Sequence, residues 1–239
     1  MKMAIGYSIV KASPSDWDII NSYVSSQGFA AKYVVFDGFK TLENIKDYGL
    51  NNYDVIVTQE EVFEHQCNNI LIKMFLAGDC EYLIVCHEDM LLTGRTLVED
   101  VKNLIIKESI NGIGIIGGRD GFWPGYTNMY GSRFSKSEVS HWLKTGEYHQ
   151  TPLLNFGPIV YPRTTIDKIG LLDYNYKYAY AEQDFCLRAI KNGLSNYVLG
   201  MDLIHEKFGS INGIQAFMTE EGAKQIAKDR ELLSQKWGI

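Results

Sequence analysis

The stretch NNILIKMFLAGDCEYLIVCHEDM (residues 68–90) joins a mostly apolar helix pattern to a buried strand pattern that ends in charge. Residues 81–86 are predicted to form a strand because they are apolar and β-branched and follow a helix-length apolar segment. Three titratable side chains come next: His87, Glu88 and Asp89. Because ligands bind beyond the carboxyl ends of strands in open α/β sheets, these side chains are expected to line a cleft.

The alternation of strand and helix patterns continues on both sides of this stretch. Further strand patterns lie at residues 4–10, 32–39, 53–60 and 112–118, and further helix patterns at residues 13–28 and 96–108. Strands rich in valine and isoleucine that alternate with helices predict right-handed βαβ units and a mainly parallel sheet covered on both faces. The predicted fold class is therefore α/β, with helices flanking a central sheet.

The pattern changes beyond residue 118. RDGFWPGYTNMYGSRFS (residues 119–135) is rich in glycine and aromatic residues, which is typical of a binding loop or lid. A strand and helices follow, and residues 219–238 predict a closing helix with Thr219 as its N-cap. No repeat, low-complexity tract or linker interrupts the chain. We therefore predict one domain over residues 1–239, with two halves that meet near residue 118.

Composition excludes several classes of function. The chain has 239 residues and a net charge of −6, and its basic residues are scattered, so no nucleic-acid partner is expected. It lacks a signal-peptide pattern and an apolar run long enough to cross a membrane, which predicts a cytoplasmic protein without a transmembrane segment. Four cysteines without CxxC spacing predict buried thiols. Oligomeric state and peripheral attachment to a membrane stay open.

Three pieces of the sequence, in this order, carry a resemblance to a known family. They are residues 68–90, then FGPIVYPRTTIDKIGLLDYNYKYAYAEQDFCLRAIKNG (residues 156–193), then LIHEKFGS (residues 203–210). Together they resemble a family 2 glycosyltransferase with the GT-A fold. The resemblance implies that residues of about 1–118 bind a nucleotide sugar, and that residues of about 119–239 form the acceptor side.

The resemblance also implies a metal-binding pair. Transfer of a sugar from a nucleotide donor leaves a diphosphate, whose charge calls for Mn²⁺ or Mg²⁺ held by hard ligands. Asp89 matches the last acid of the family's DxD-type motif, and His205 matches its late histidine. His87 occupies the position of the first Asp of that motif. Three alternatives stay open for its side chain: it contacts the metal, it contacts the ribose, or it contacts neither. Glu88 is expected to face solvent.

A general base is implied by the segment AEQDFCLR (residues 181–188), which is similar to the family's EDxDlclR motif. Glu182 matches the catalytic base and Asp184 the second acid, while Ala181 stands where the family has its first Glu. The alternative is that both acids only interact with the dipole at the N-terminus of a helix.

Donor and sugar contacts complete the expected site. By resemblance, Asp37 and Asn69 bind the nucleotide together with His87 and Asp89. Trp123 and Tyr126 are candidates for an apolar platform under a sugar ring, with a packed loop anchor as the alternative for Trp123, and Gly157 is expected to allow close backbone approach.

The predicted function is a metal-dependent, inverting glycosyltransferase of the hexosyltransferase type. The expected donor is a nucleotide-diphosphate sugar, with UDP favoured, and the expected acceptor is a hydroxyl of a saccharide or glycolipid, as in polysaccharide biosynthesis. One alternative is a non-catalytic module that binds sugar nucleotides. Another is a metal-dependent nucleotidyltransferase, which the missing glycine-rich, lysine-containing phosphate loop disfavours.

Overall fold

The structure is a computed structural model of the chain. It describes residues 1–10, 13–39, 42–60, 62–94, 96–108, 112–120, 130–131, 141–155, 158–205 and 219–239.

The first half alternates strands and helices, as predicted. Its elements are β1 (Met3–Ile9), α1 (Pro14–Ser26), β2 (Ala31–Phe36), a 3₁₀ helix (Leu42–Tyr48), β3 (Asp54–Val57), α2 (Glu64–Ala77), β4 (Tyr82–His87), β5 (Met90–Leu92), α3 (Leu97–Glu108) and β6 (Ile113–Gly117).

In its described residues, the second half contains shorter strands and three helices. Its elements are β7 (Tyr130–Gly131), β8 (His141–Trp142), β9 (Tyr148–Thr151), β10 (Ile159–Pro162), α4 (Arg163–Ile169), α5 (Ala181–Lys191), β11 (Ser195–Leu199), β12 (Leu203–His205) and α6 (Glu220–Trp237).

The start of α1 shows how local sequence sets an element. The Ser13 hydroxyl accepts a hydrogen bond from the Asp16 N–H, and the Asp16 carboxylate accepts one from the Ser13 N–H, which completes a capping box. Pro14 follows the cap and needs no hydrogen-bond partner for its nitrogen. The predicted N-terminus of this helix is therefore confirmed.

Eight strands form the central sheet, in the order β3-β2-β1-β4-β10-β6-β11-β9. Neighbours from β3 to β4 are parallel, and so are β6 and β11. Strand β10 runs antiparallel to both β4 and β6, and β9 is an antiparallel edge strand. The sheet is thus mainly parallel, as predicted, but the sequence patterns did not predict the reversed direction of β10.

The apolar core lies on both faces of this sheet. Trp17, Ile20 and Val24 of α1 are buried on one face, while Leu71 and Phe75 of α2 are buried on the other. All four cysteines are buried thiols, as predicted. No helix in the described part of the chain is long and apolar enough to cross a membrane.

A two-stranded antiparallel ribbon of β5 and β12 adjoins the carboxyl end of β4. Its register pairs Leu203 with Leu92 and His205 with Met90. Residues 88 and 89 form the turn between β4 and β5. The ribbon therefore brings the backbone of a late segment to the charged end of β4.

Candidate active site

Asp89 lies in the turn that follows β4, and its side chain is half-buried. His205 pairs with Met90, so its backbone lies beside the residue that follows Asp89. The two predicted metal ligands are therefore neighbours in the fold, although the His205 side chain lies outside the described part of the structure. Among the side chains that are described, no group of three or more histidine, cysteine, aspartate and glutamate residues has the spacing of a metal site.

Glu88 does not face solvent, contrary to expectation. Its side chain is buried, and Oε2 accepts a hydrogen bond of 2.7 Å from the Val10 N–H. Val10 follows β1, the strand next to β4. The strand-end turn rotates this carboxylate toward the backbone of the neighbouring strand, because a carboxylate can satisfy an N–H that has no sheet partner.

His87 is the last residue of β4, and its imidazole contacts a side chain that sequence analysis missed. Nε2 lies 2.6 Å from Oε1 of Glu64, the first residue of α2. The exposed fractions of the two side chains are 14% and 29%, so the pair is only partly open to water. This close contact ties the imidazole of His87 to the first turn of α2.

Glu64 also links the two halves of the site electrostatically. Removal from water, together with the negative charges of Glu182 and Asp89, raises the pKa of the Glu64 carboxyl well above its ordinary value. Carboxylates predicted on the donor side and on the acceptor side therefore both affect the pKa of Glu64. The only signal for Glu64 in the sequence is an acid at the start of a helix pattern, which is common on surfaces.

Glu182 is buried in the first turn of α5, with an exposed fraction of 1%. Its Oε2 accepts no hydrogen bond from the residues that the structure describes. Burial raises the pKa of this carboxyl to about 8. A carboxyl with a free buried oxygen and a pKa near neutrality has the properties of a general base.

Asp184 is fully buried but has a different environment. Its oxygens lie 2.9 Å from Arg188 Nε, 2.8 Å from Lys236 Nζ and 2.9 Å from Trp237 Nε1. Arg188 in turn donates to the carbonyl groups of Ile169 and Leu171. The carboxylate is thus surrounded by donors that connect α5 to the C-terminal helix.

Two of the predicted nucleotide contacts, Asp37 and Asn69, have different hydrogen-bond partners. Asp37 follows β2, and its Oδ1 accepts hydrogen bonds from the Thr58 hydroxyl and the Val62 N–H. Asn69 is buried in α2 and forms two hydrogen bonds of 3.0 Å with the N–H and carbonyl of Leu172. Asp37 lies at the strand-end edge, whereas the Asn69 amide connects α2 to the segment before α5.

The backbone before α5 is strained and is held by an acid of α6. Tyr180, at the N-cap of α5, has a φ of 71° and provides no side-chain cap. Asp229 Oδ2 accepts hydrogen bonds from three consecutive N–H groups, those of Lys177, Tyr178 and Ala179. The sequence did not indicate this role, because Asp229 lies between Ile226 and Leu233 on the buried face of the closing helix, where the pattern predicts apolar residues.

Three predicted substrate contacts lie outside the described residues. These are Trp123, Tyr126 and Gly157. Their assignment to the sugar stays a prediction.

Comparison with known proteins identifies the fold. No protein-family model matches the sequence, and a search of curated proteins finds no match. The structure of S. aureus TarS 1–349 has a TM-score of 0.57 at 12% identity, over 100% of this chain and 72% of that one. GalNAc-T7 with UDP, GalNAc and Mn²⁺ has a TM-score of 0.61 at 12% identity, over 86% of this chain and 43% of that one. CMP:2-keto-3-deoxy-manno-octonic acid synthetase complexed with CTP has a TM-score of 0.51 at 12% identity, over 92% of this chain and 100% of that one.

These likenesses confirm the predicted GT-A type of α/β fold, with helices on both sides of a mainly parallel sheet. At such low identity they concern the fold alone. The chain also spans only 41% of a longer TarS structure and 43% of GalNAc-T7.

Proposed function

We propose that the protein is a metal-dependent, inverting glycosyltransferase that moves a hexose from a nucleotide-diphosphate sugar, with UDP favoured, to a hydroxyl of a saccharide or glycolipid. The observation that carries the proposal is Glu182. It is a buried carboxyl whose Oε2 accepts no hydrogen bond from the described residues, and its charge, like that of Asp89, raises the pKa of Glu64. This common effect on Glu64 supports a single site that contains the donor-side and acceptor-side acids.

The reaction is a single displacement at the anomeric carbon. Glu182 takes the proton of the acceptor hydroxyl while the oxygen forms its bond to that carbon, and the bond from carbon to the diphosphate oxygen breaks. The nucleoside diphosphate leaves, and the configuration at the anomeric carbon inverts. By analogy, the GT-A fold supports a site for a nucleotide and a sugar, since structures of that fold include GalNAc-T7 with UDP and GalNAc.

Asp89 and His205 are the proposed ligands of the divalent cation. Asp89 offers a half-buried carboxylate at the strand end, and the pairing of His205 with Met90 across the β5–β12 ribbon supports His205 as the second ligand. A bound Mn²⁺ or Mg²⁺ would neutralise the charge that develops on the diphosphate. Two protein ligands fit this use, because phosphate oxygens and water complete the coordination of such ions. Asp37, at the end of β2, is proposed to contact the nucleoside.

The test is a product analysis with purified protein. UDP-, GDP- and dTDP-hexoses are incubated with Mn²⁺ and a panel of oligosaccharide and glycolipid acceptors. We expect release of a nucleoside diphosphate and a new glycosidic bond of inverted configuration by NMR. The Glu182→Gln variant should bind the nucleotide as the wild type does but lose turnover. Binding of a UDP-sugar without any release of UDP would support the non-catalytic module instead.

Nucleotidyl transfer is a second candidate, favoured by the likeness to the synthetase complexed with CTP, which covers 92% of this chain. The products separate the two reactions. Nucleotidyl transfer releases pyrophosphate from a nucleoside triphosphate, whereas sugar transfer releases a nucleoside diphosphate. Pyrophosphate release from CTP or UTP in the presence of sugars would show that the protein is a nucleotidyltransferase and not a glycosyltransferase.

A further inference from the structure

The position of Glu182 depends on a backbone that α5 does not stabilise by itself. Tyr180 precedes the helix in the left-handed region, at a φ of 71°, and its side chain caps no N–H group. Such a conformation is costly for a residue with a β-carbon and persists only where the surroundings enforce it. Glu182 is the second residue of the helix that starts there.

Asp229 provides the enforcing contact from α6. Oδ2 lies 3.1, 2.7 and 3.0 Å from the backbone nitrogens of Lys177, Tyr178 and Ala179, and the residue has an exposed fraction of 1%. Oδ1 accepts a hydrogen bond from Gln225 Nε2, one turn earlier in α6. One buried carboxylate therefore orders the three residues before Tyr180, and hydrogen bonds to a charged acceptor are among the stronger ones.

The same helix also holds the chain on the other side of Glu182. Trp237 Nε1 and Lys236 Nζ lie within 2.9 Å and 2.8 Å of Asp184, which follows Glu182 by two residues. The loop ordered by Asp229 in turn contacts α2, because the rings of Tyr178 and Phe63 meet edge-on at 5.0 Å. Phe63 directly precedes Glu64, the partner of His87.

We propose that Asp229 is a positioning residue for the base: it fixes residues 177–179 and thereby holds Glu182 in the orientation that accepts the proton. This inference rests on the proposed role of Glu182. It assigns Asp184 to the same clamp, as an anchor for the end of α6. Asp37 bonds to Thr58 and Val62 at the strand-end edge, so donor binding at this edge should be independent of the clamp.

The experiment compares Asp229→Ala and Asp229→Asn with wild type. The alanine variant should lower kcat roughly 10–100-fold, because small misplacements of a reacting group have effects of this size. The KM for the donor and the affinity for UDP with Mn²⁺ should stay within about twofold of the wild-type values, which is a small change in binding free energy. Asparagine keeps an acceptor oxygen for the three N–H groups, so Asp229→Asn should recover part of the lost kcat.

Two further measurements separate positioning from general destabilisation. Amide hydrogen exchange at residues 177–179 should accelerate in Asp229→Ala, and this readout requires no turnover. Lys224→Gln is the matched control, since Lys224 lies on the same helix and pairs with Glu220 at an exposed surface. It should change neither exchange nor kcat.

A double-mutant cycle decides whether Asp229 acts through Glu182. If it does, adding Asp229→Ala to Glu182→Gln should cause little further loss of kcat. An additive loss, or a kcat near wild type in Asp229→Ala with faster exchange, would overturn the inference while leaving the base intact. If Glu182→Gln itself retains full turnover, the proposed base is wrong, and the inference is overturned with it. Should Asp229→Ala fail to fold, Asp229→Asn and the cycle built on it give the same decision.

Discussion

His205 pairs with Met90 across the β5–β12 ribbon and so lies beside the residue that follows Asp89. Residues that are far apart in the sequence become neighbours at the carboxyl end of β4. This register supports the proposal that Asp89 and His205 bind the same cation.

The first prediction is that turnover requires a divalent cation and that Asp89→Ala abolishes it. The carboxylate would no longer help to neutralise the diphosphate leaving group. His205→Ala should have a smaller effect, because water can occupy a ligand position. Turnover is measured with Mn²⁺, with EDTA and after Mn²⁺ is restored. Full wild-type activity in EDTA would exclude this role for the cation.

The second prediction concerns the pair of Glu64 and His87, which lie 2.6 Å apart. Glu64→Gln keeps the shape but replaces one carboxyl oxygen by an amide nitrogen, so His87 should be held less firmly. Where a histidine binds a metal, loss of the partner that orients it typically costs about 10–100-fold in metal affinity or activity. We expect a decrease in kcat/KM for the donor, measured by steady-state kinetics. Glu60→Gln, at an exposed position before α2, is the control and should behave as the wild type.

The sequence predicted the parts of this molecule that depend on local patterns. The capping box of α1, the strand and helix alternation and the acids after β4 all follow from neighbouring residues. It missed the antiparallel β10, the β5–β12 ribbon and Asp229, because their roles depend on pairing with distant segments. Glu64 was missed for the same reason, since its partner lies on another element.

Asn69 gives the third prediction. Its amide forms two buried hydrogen bonds with the backbone of Leu172, so Asn69→Ala would leave a buried N–H and C=O without partners. We expect the free energy of unfolding to fall by roughly 2–4 kcal/mol. Affinity for UDP with Mn²⁺, measured by calorimetry below the unfolding transition, should change little. A large loss of affinity for UDP with a normal free energy of unfolding would instead support a direct contact between Asn69 and the nucleotide, as expected from the sequence. Lys73→Gln, on an exposed position of the same helix, is the control.

The fourth prediction is a pH dependence of stability that originates at Glu182. The pKa of this carboxyl is about 8 in the folded protein against an ordinary value of 4.5. Between these values the folded state retains a proton that the unfolded state has released, so the contribution of Glu182 to stability falls as pH rises. Glu182→Gln cannot ionise and should therefore gain stability relative to wild type over this window, by at most about 1.4 kcal/mol per pH unit. Urea denaturation across the window measures the difference. A constant difference would mean that Glu182 titrates normally.

The last prediction is the pH profile of turnover. A general base acts only when deprotonated, and burial raises the pKa of Glu182 to about 8 in the free protein. The value of kcat/KM should therefore rise with pH along a limb whose midpoint lies well above the ordinary range of a glutamate. Asp184→Asn is the informative comparison, because Asp184 is bonded to Arg188, Lys236 and Trp237 and is not expected to supply this limb. It should lower stability and retain the shape of the profile, whereas Glu182→Gln should lower kcat roughly 10²–10⁴-fold and flatten it. If Asp184→Asn removes the limb and Glu182→Gln preserves it, Asp184 is the base, and its bonds to the C-terminal helix must open during the reaction.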